Sequence, residues 1–224
     1  WYRNKIDNAK LCDHIVTVSE QSKTDIERFL GVPSERVTSI PNGYDSSVYH
    51  LTPSSGEKER VQSFLRTRAE YVLYVGGSDP HKNLVRLVEA FASLPEGARS
   101  GHHLVLAGGG INSSQDLVGA INRLGCGEYV QMPGYVPQDL LPSLMRNATA
   151  FVFPSTHEGF GLPALEAMAC GAPTLGSAGS AVGEVIALSE ATFDPHDVKS
   201  IAHRLSRIIH DSDLRLKVRQ HGLT

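Results

Sequence analysis

Short apolar runs alternate with longer amphipathic stretches along most of this chain. The runs Ile15–Ser19, Val37–Ile40, Tyr71–Val75, Leu104–Ala107, Tyr129–Met132, Ala150–Phe153 and Thr174–Gly176 are rich in Val, Leu, Tyr and Phe. Turn residues bound several of them, and the pattern predicts strands. Between them, apolar positions recur at helical spacing. Leu84, Leu87, Val88 and Phe91 follow Asn83, a residue type suited to an N-cap. Leu117, Ile121 and Leu124 make a second stripe. Leu140, Leu141, Leu144 and Met145 make a third, and Ile201, Leu205, Ile208 and Ile209 a fourth.

Strand–helix alternation of this kind predicts an α/β fold, a Rossmann-like parallel sheet with helices on both faces. Five strands from Tyr71 onward would form it. Ligands of such sheets bind beyond the carboxyl ends of strands. The loops after Val75, Ala107, Met132 and Phe153 are therefore expected to face a site. The earlier part of the chain has two strands joined by a helix at Ser22–Leu30, then the turn signal Pro41-Asn42-Gly43-Tyr44-Asp45. A piece of about 45 residues with two strands buries too little core to stand alone. Residues 1–45 thus read as the trailing part of another domain. The polar stretch Leu51–Arg60, with Pro53, Ser54, Ser55 and Gly56, is the best linker. This gives an amino-terminal remnant at 1–45, a linker and entry at 46–70, and a ligand-binding domain at 71–224.

Composition narrows the function classes. A net charge of −3 and a pI near 6.4 provide no overall pull toward nucleic acid or anionic lipid, so no nucleic-acid partner is expected. No run of about 18 apolar residues is present to span a bilayer. The opening Trp1-Tyr2-Arg3-Asn4-Lys5 is not followed by the apolar core of a secretory leader. Cys12, Cys126 and Cys170 lie far apart with no CxxC or Cys/His spacing, which fits reduced cytoplasmic thiols better than a disulfide framework or a zinc site. His102 and His103 are adjacent, so in a strand they point to opposite faces and read as strand entry, not as a metal site.

Two segments carry candidate chemistry. In Tyr74-Val75-Gly76-Gly77-Ser78-Asp79-Pro80-His81-Lys82-Asn83 a strand passes into a helix through two glycines. Gly76 and Gly77 allow close backbone approach, and Lys82 can set a point charge on a phosphate. A tight turn with a solvated lysine explains the segment equally well. The second segment runs from Pro154 to Pro173. Glu158 precedes the loop Gly159-Phe160-Gly161, Pro163 suits the first turn of a helix, and Gly171 with Pro173 ends it. The N–H groups near Phe160 to Leu162 would be open to an anion. Glu166 lies about one turn inside the helix, among Ala164, Leu165, Ala167 and Met168. A carboxylate on so apolar a helix is costly without partners. A pair of acids flanking a helix start suits a nucleotide sugar: a carboxylate accepts from adjacent hydroxyls of a sugar or ribose, two of them can hold different parts of one ligand, and the helix start offsets a diphosphate's charge.

The segment EGFGLPALEAMACGAP, with Glu158 and Glu166 in a Glu-x7-Glu pattern, resembles the retaining glycosyltransferases of family four, which have the two-domain GT-B fold. VTVSEQSKTDI (Val16–Ile26), IPNGYD (Ile40–Asp45), the YVGG…KN segment and GYVPQDLLPSLMRNA (Gly134–Ala148) match as well. The resemblance covers nearly the whole chain. It implies that residues to about 45 are the end of an acceptor-side domain and the rest a donor-binding domain, with both ends of the full enzyme missing.

Residue by residue, the resemblance implies that Glu158 contacts the transferred sugar and Glu166 the ribose. It assigns Lys82 to the diphosphate and Gly159 to Leu162 to sugar hydroxyls and phosphate through the backbone. Gly134, Tyr135 and Val136 fall in the base-contacting segment. Many members carry an Arg where this chain has Gly77, so Lys82 lacks its usual cationic partner. The implied reaction moves a hexose, best guess mannose from GDP-mannose with UDP-sugars open, to a glycan or lipid-linked hydroxyl with retention. It is expected to need neither metal nor cofactor. The expected location is cytoplasmic, with peripheral association at the inner membrane face. Competing readings are a nucleotide-sugar-binding module without turnover of its own, and a GT-B phosphorylase or epimerase.

Overall fold

The computed structural model describes residue 6 and residues 8–99 and 101–224. The leader reading at Trp1–Lys5 falls outside the described residues. The amino-terminal unit has two parallel strands, β1 (Ile15–Thr17) and β2 (Val37–Ser39), paired Ile15 to Val37, with helix α1 (Glu20–Leu30) crossing between them. Ser19 caps α1 by accepting from the Ser22 N–H.

The second unit begins with α2 (Glu57–Leu65), inside the stretch read as linker. Val61 and Leu65 are buried in the main core, so the helix belongs to this unit and not to a free connection. Its other buried group is Glu57. This carboxylate accepts from Arg146 Nη2 at 2.7 Å, Ser143 Oγ at 3.0 Å and Asn147 Nδ2 at 2.9 Å. Burial alone would raise its pKa, but the hydrogen bonds from Arg146, Ser54 and Ser143, with the Arg146 charge, hold it below the usual range.

The main sheet follows with β3 (Glu70–Val75), α3 (Leu84–Ala92), α4 (Glu96–Arg99), β4 (His102–Ala107), α5 (Gln115–Arg123), β5 (Val130–Gly134), α6 (Leu141–Arg146), β6 (Ala150–Phe153), α7 (Leu162–Ala169), β7 (Thr174–Ser177), α8 (Ala181–Ile186), β8 (Thr192–Phe193), α9 (Val198–His210) and α10 (Ser212–His221). All pairings are parallel and the strand order is β5-β4-β3-β6-β7-β8. The sheet has six strands, not the expected five. The addition is β8, only two residues long and too short to show a periodicity. Central strands are buried along their whole length, as in Val72–Tyr74 and Ala150–Phe153, because helices cover both faces. On one side α3 packs against α5 and α9. On the other, α2, α6, α7 and α8 pack in series.

The predicted strand ends hold to within two residues, and His102-His103 does open β4. The reading of Asn83 as an N-cap needs correction. It occupies that position, but with φ of 61° and no capping bond from its side chain. Its amide instead donates to the carbonyls of Pro154 at 3.0 Å and Pro195 at 2.7 Å, tying the start of α3 to the loops after β6 and β8. Buried carbonyls in loops need such partners, and a short amide that tolerates the left-handed region can supply them.

Candidate donor site

Chain order brings β3 and β6 side by side at the centre of the sheet, where the direction of winding reverses. A crevice opens at the carboxyl ends of strands at such a switch point. The loop after β3 holds Gly76, Gly77 and Lys82, and the loop after β6 holds Glu158, so the two candidate segments are neighbours despite their separation in sequence.

The backbones meet closely here. Gly76 N–H donates to the Ala107 carbonyl at 3.0 Å. A Cβ at Gly108, whose φ is 143°, would collide with the Gly76 carbonyl. Glycine at this position lets the rims of β3 and β4 close on each other. A Cβ at Gly77 would meet Asp79 Oδ2 at 3.4 Å, and the Gly77 carbonyl accepts from the Tyr74 hydroxyl at 2.8 Å. Burial raises the Tyr74 phenol well above its ordinary range, and the charges of Glu158 and Asp79 add to this, so it acts here as a neutral donor. The Thr156 N–H donates to the His81 carbonyl at 2.8 Å, a direct backbone clasp between the two loops.

Across that clasp Lys82 Nζ lies 2.7 Å from Glu158 Oε1, with the side chains 17% and 14% exposed. The ammonium also sits 5.7 Å from the centroid of the Phe153 ring. A half-buried pair of this kind holds both groups in place, and Nζ keeps two more donors for a ligand. Beside it Gly161, with φ of 107°, turns the chain into α7; a Cβ there would press on Val182 at 3.2 Å. Among the described residues the N–H groups of Phe160, Gly161 and Leu162 have no protein acceptor. Pro163 lies in the first turn as expected. One cation, one carboxylate and a set of free N–H donors thus converge where a diphosphate and a polyhydroxylated group could be held together.

Residues 55–223 match the family described as Glycosyl transferases group 1, and residues 1–48 match Glycosyltransferase Family 4. The chain belongs to the group 1 glycosyl transferases. It is similar to O-antigen chain mannosyltransferase B of Escherichia coli, 32% identical over 219 residues, covering 97% of this chain and 56% of that protein. It is also similar to the serotype-specific mannosyltransferase WbdA of Escherichia coli, 30% identical over 229 residues, covering all of this chain and 28% of that protein. Its fold matches that of Anabaena HepE, crystallised with UDP and glucose, at a TM-score of 0.86 and 21% identity over 99% of this chain and 60% of that one. The chain therefore spans only part of the length of the relatives it matches. The GT-B fold is shown by these neighbours and by the parallel sheet.

Within this group 1 chain Glu166 lies on α7, half-buried. Burial raises its pKa above the usual carboxylate range, with the Tyr49 hydroxyl acting against that rise. Tyr49 is pushed up to about 12, first by its burial and then by the Glu166 carboxylate. The Glu166 carboxylate is thus coupled electrostatically to a phenol from the segment before α2. Nothing in the spacing of residues 49 and 166 could have revealed it.

The segment expected to contact the base lies at the edge of the sheet. Gly134 ends β5 at the sheet edge, three strand positions from β6, or about 14 Å at the usual strand spacing. Tyr135 is 75% exposed and offers a free ring, whereas Val136 is buried at 7% and presents only its backbone. Sequence reasoning also missed Ser19, Ser22 and Glu184, which contact the Glu158 loop and α1. A groove lined by Lys58, Arg68, Arg215 and Arg219 lies on the opposite rim, at the amino ends of the strands, and holds none of the predicted residues.

The metal-free expectation drew on the absence of an Asp-x-Asp motif, and that needs correction: the chain carries one such spacing, Asp211-Ser212-Asp213. Asp211 caps α10, accepting from the Leu214 N–H at 2.9 Å and from Arg207 Nη2 at 2.8 Å. That spacing is explained by the helix start. No described helix is long and apolar enough to cross a membrane.

Proposed function

We propose that this chain supplies the donor half of a hexosyltransferase that takes a sugar from a nucleoside diphosphate and passes it, with retention, to a glycan or lipid-linked hydroxyl. The observation that carries the reading is the Lys82–Glu158 pair at 2.7 Å, spanning the switch point beside the free N–H groups that open α7. Lys82 and those N–H groups meet the charge that grows on the leaving diphosphate as the glycosidic bond breaks. Glu158 orients the sugar by accepting from its hydroxyls. Glu166 takes the ribose hydroxyls, and the Gly134–Val136 segment takes the base with the Tyr135 ring and backbone.

Retention through a covalent glycosyl-enzyme would need a carboxylate free to attack. Here Glu158 is held by Lys82, which favours attack from the leaving-group face, with the departing phosphate receiving the acceptor's proton. The reading includes no metal or other cofactor. Mannose from GDP-mannose is the preferred donor, supported by the two mannosyltransferase relatives; UDP-sugars are the alternative, supported by the UDP-bound fold neighbour. The acceptor, and any peripheral contact with a cytoplasmic membrane face, belong to the whole protein.

Calorimetry of this chain with GDP, UDP and ADP tests the proposal. Binding of GDP or UDP over ADP is expected, and Lys82→Ala should weaken it by about tenfold, the loss of one charge-assisted contact. No binding to any of the three would sink the donor-site reading. In the whole enzyme, full transfer activity in Glu158→Ala would remove that residue from the chemistry.

A further inference from the structure

The four N–H groups that open α1 are fully accounted for, and the accounting crosses between the two units of the chain. Ser22 N–H goes to Ser19 Oγ at 3.0 Å and Lys23 N–H to the Ser19 carbonyl at 3.0 Å. The other two, Glu20 and Gln21, donate to the two carboxylate oxygens of Glu184 at 2.9 and 2.6 Å. Glu184 sits on α8, in the second unit, more than 160 residues away in sequence. A helix start that attracts anions is thus already occupied by a side chain of the neighbouring unit.

The same helix start grips the donor loop. Ser19 Oγ lies 2.7 Å and Ser22 Oγ 3.1 Å from the Gly159 carbonyl, and the two hydroxyls are 2.9 Å apart. Each hydroxyl has one proton, so either both donate to that carbonyl or one relays through the other. Ser19 is 2% exposed, which strengthens a contact that water cannot replace. Gly159 follows Glu158 directly and precedes the free N–H groups at Phe160 to Leu162. A Cβ added at Gly159 would lie 3.9 Å from Val18, so the loop passes close to the residue that follows β1. His157 and Asp25 add a solvent-exposed pair at 4.0 Å, which contributes little.

We infer that Ser19, Ser22 and Glu184 are positioning residues, which clamp the Glu158–Leu162 loop to α1 and so set Glu158 for the sugar half of the donor. The inference rests on the donor-site reading for its functional part. Glu184 fixes where α1 sits on α8. The two serines then fix the Gly159 carbonyl, and with it the peptide that carries Glu158. The base and ribose, held by Glu166 and the Gly134–Val136 segment, do not depend on this clamp, whereas the diphosphate meets N–H groups of the clamped loop. The seam therefore separates recognition of the sugar and diphosphate from recognition of the nucleoside.

The test compares the parent chain with Ser19→Ala/Ser22→Ala, with Ser22→Ala alone in case the double variant does not fold, and with Ser22→Thr, which keeps the hydroxyl. Amide hydrogen exchange at Ala164 and Leu165, whose N–H groups donate to the Gly161 carbonyl at the end of the clamped loop, is read first, without ligand. Loss of the clamp should speed it by about tenfold, the scale of one hydrogen bond, with Ser22→Thr near the parent. Glu184→Gln keeps one acceptor oxygen, so it should release one of the Glu20 and Gln21 amides and speed the same loop. Calorimetry is read second: the alanine variants should lose about tenfold in affinity for the nucleotide sugar and keep their affinity for the nucleoside without its phosphates. Unchanged loop exchange, or equal losses for both ligands, would overturn the inference. If the parent binds no nucleotide but loop exchange rises in the variants, the clamp stands and the donor reading fails.

Discussion

Glu166 is where residue chemistry and position conflict most openly. Its folded-state pKa is raised above the ordinary value of 4.5, so folding favours the neutral acid. That contribution to stability is complete below the unfolded value and is lost as pH rises through the raised one. Glu166→Gln, which mimics the neutral acid, is expected to be more stable than the parent at pH 7. The gap should close as pH falls below 4.5, as urea unfolding across pH would show. A gap that widens at low pH would mean that the carboxylate is stabilised by partners beyond Tyr49. Such a cost is tolerated where a carboxylate has a ligand to hold. Lys82 and Glu158 show the opposite arrangement, each offsetting the other's burial. A double-mutant cycle with Lys82→Met and Glu158→Gln should give a coupling of about 1–3 kcal/mol, and a value near zero would make the pair a crystal-like surface contact with no role in holding the site.

At the scale of elements, two junctions outside the site hold its frame. Asn83 has a left-handed backbone and clamps two buried carbonyls, so Asn83→Ala combines two penalties: about 1–2 kcal/mol for the backbone and about 1–3 kcal/mol for unsatisfied carbonyls. Asn83→Gly removes the clamp but not the backbone freedom and should cost less by the first amount. Equal losses in denaturant unfolding would show that the backbone conformation carries no penalty here. Arg146 is the second junction. It donates to Glu57 and to the His50 carbonyl, fastening the turn before α2 to α6. Arg146→Ala leaves a buried carboxylate without its cation and should cost about 3–5 kcal/mol at pH 7. Glu57 has a depressed pKa, so its stabilisation is present above 4.5 and fades as pH falls through the lowered value; the cost of Arg146→Ala should fade with it.

For the whole molecule, a nucleotide that binds only the folded state should stabilise it by about 2.7 kcal/mol at a hundredfold excess over Kd, visible as a rise in Tm. A rise with GDP or UDP and none with ADP would place the binding at a base-selective site. The effect should fall to about 1.4 kcal/mol in Lys82→Ala at the same concentration, because tenfold weaker binding leaves a tenfold excess over Kd.

How much of this could be read from the sequence depends on the range of the interaction. Strand and helix types follow from local periodicity, and the parallel α/β class follows from their alternation. Gly76, Lys82, Glu158 and Pro163 sit at strand-to-helix passages that local residue types mark directly. The sequence by itself therefore determined the elements, the class and the loops that form the site. Tertiary structure alone decided which groups meet. Strand order places the loops after β3 and β6 side by side and joins Lys82 to Glu158 across 76 residues. It also sets Tyr49 beside Glu166, and Ser19 and Ser22 on Gly159, with no spacing rule because these groups lie on segments far apart in sequence. The two-residue β8 and the side-chain clamp of Asn83 were hidden for a related reason: each is stabilised by neighbours distant in sequence, and short-range pattern holds no record of them.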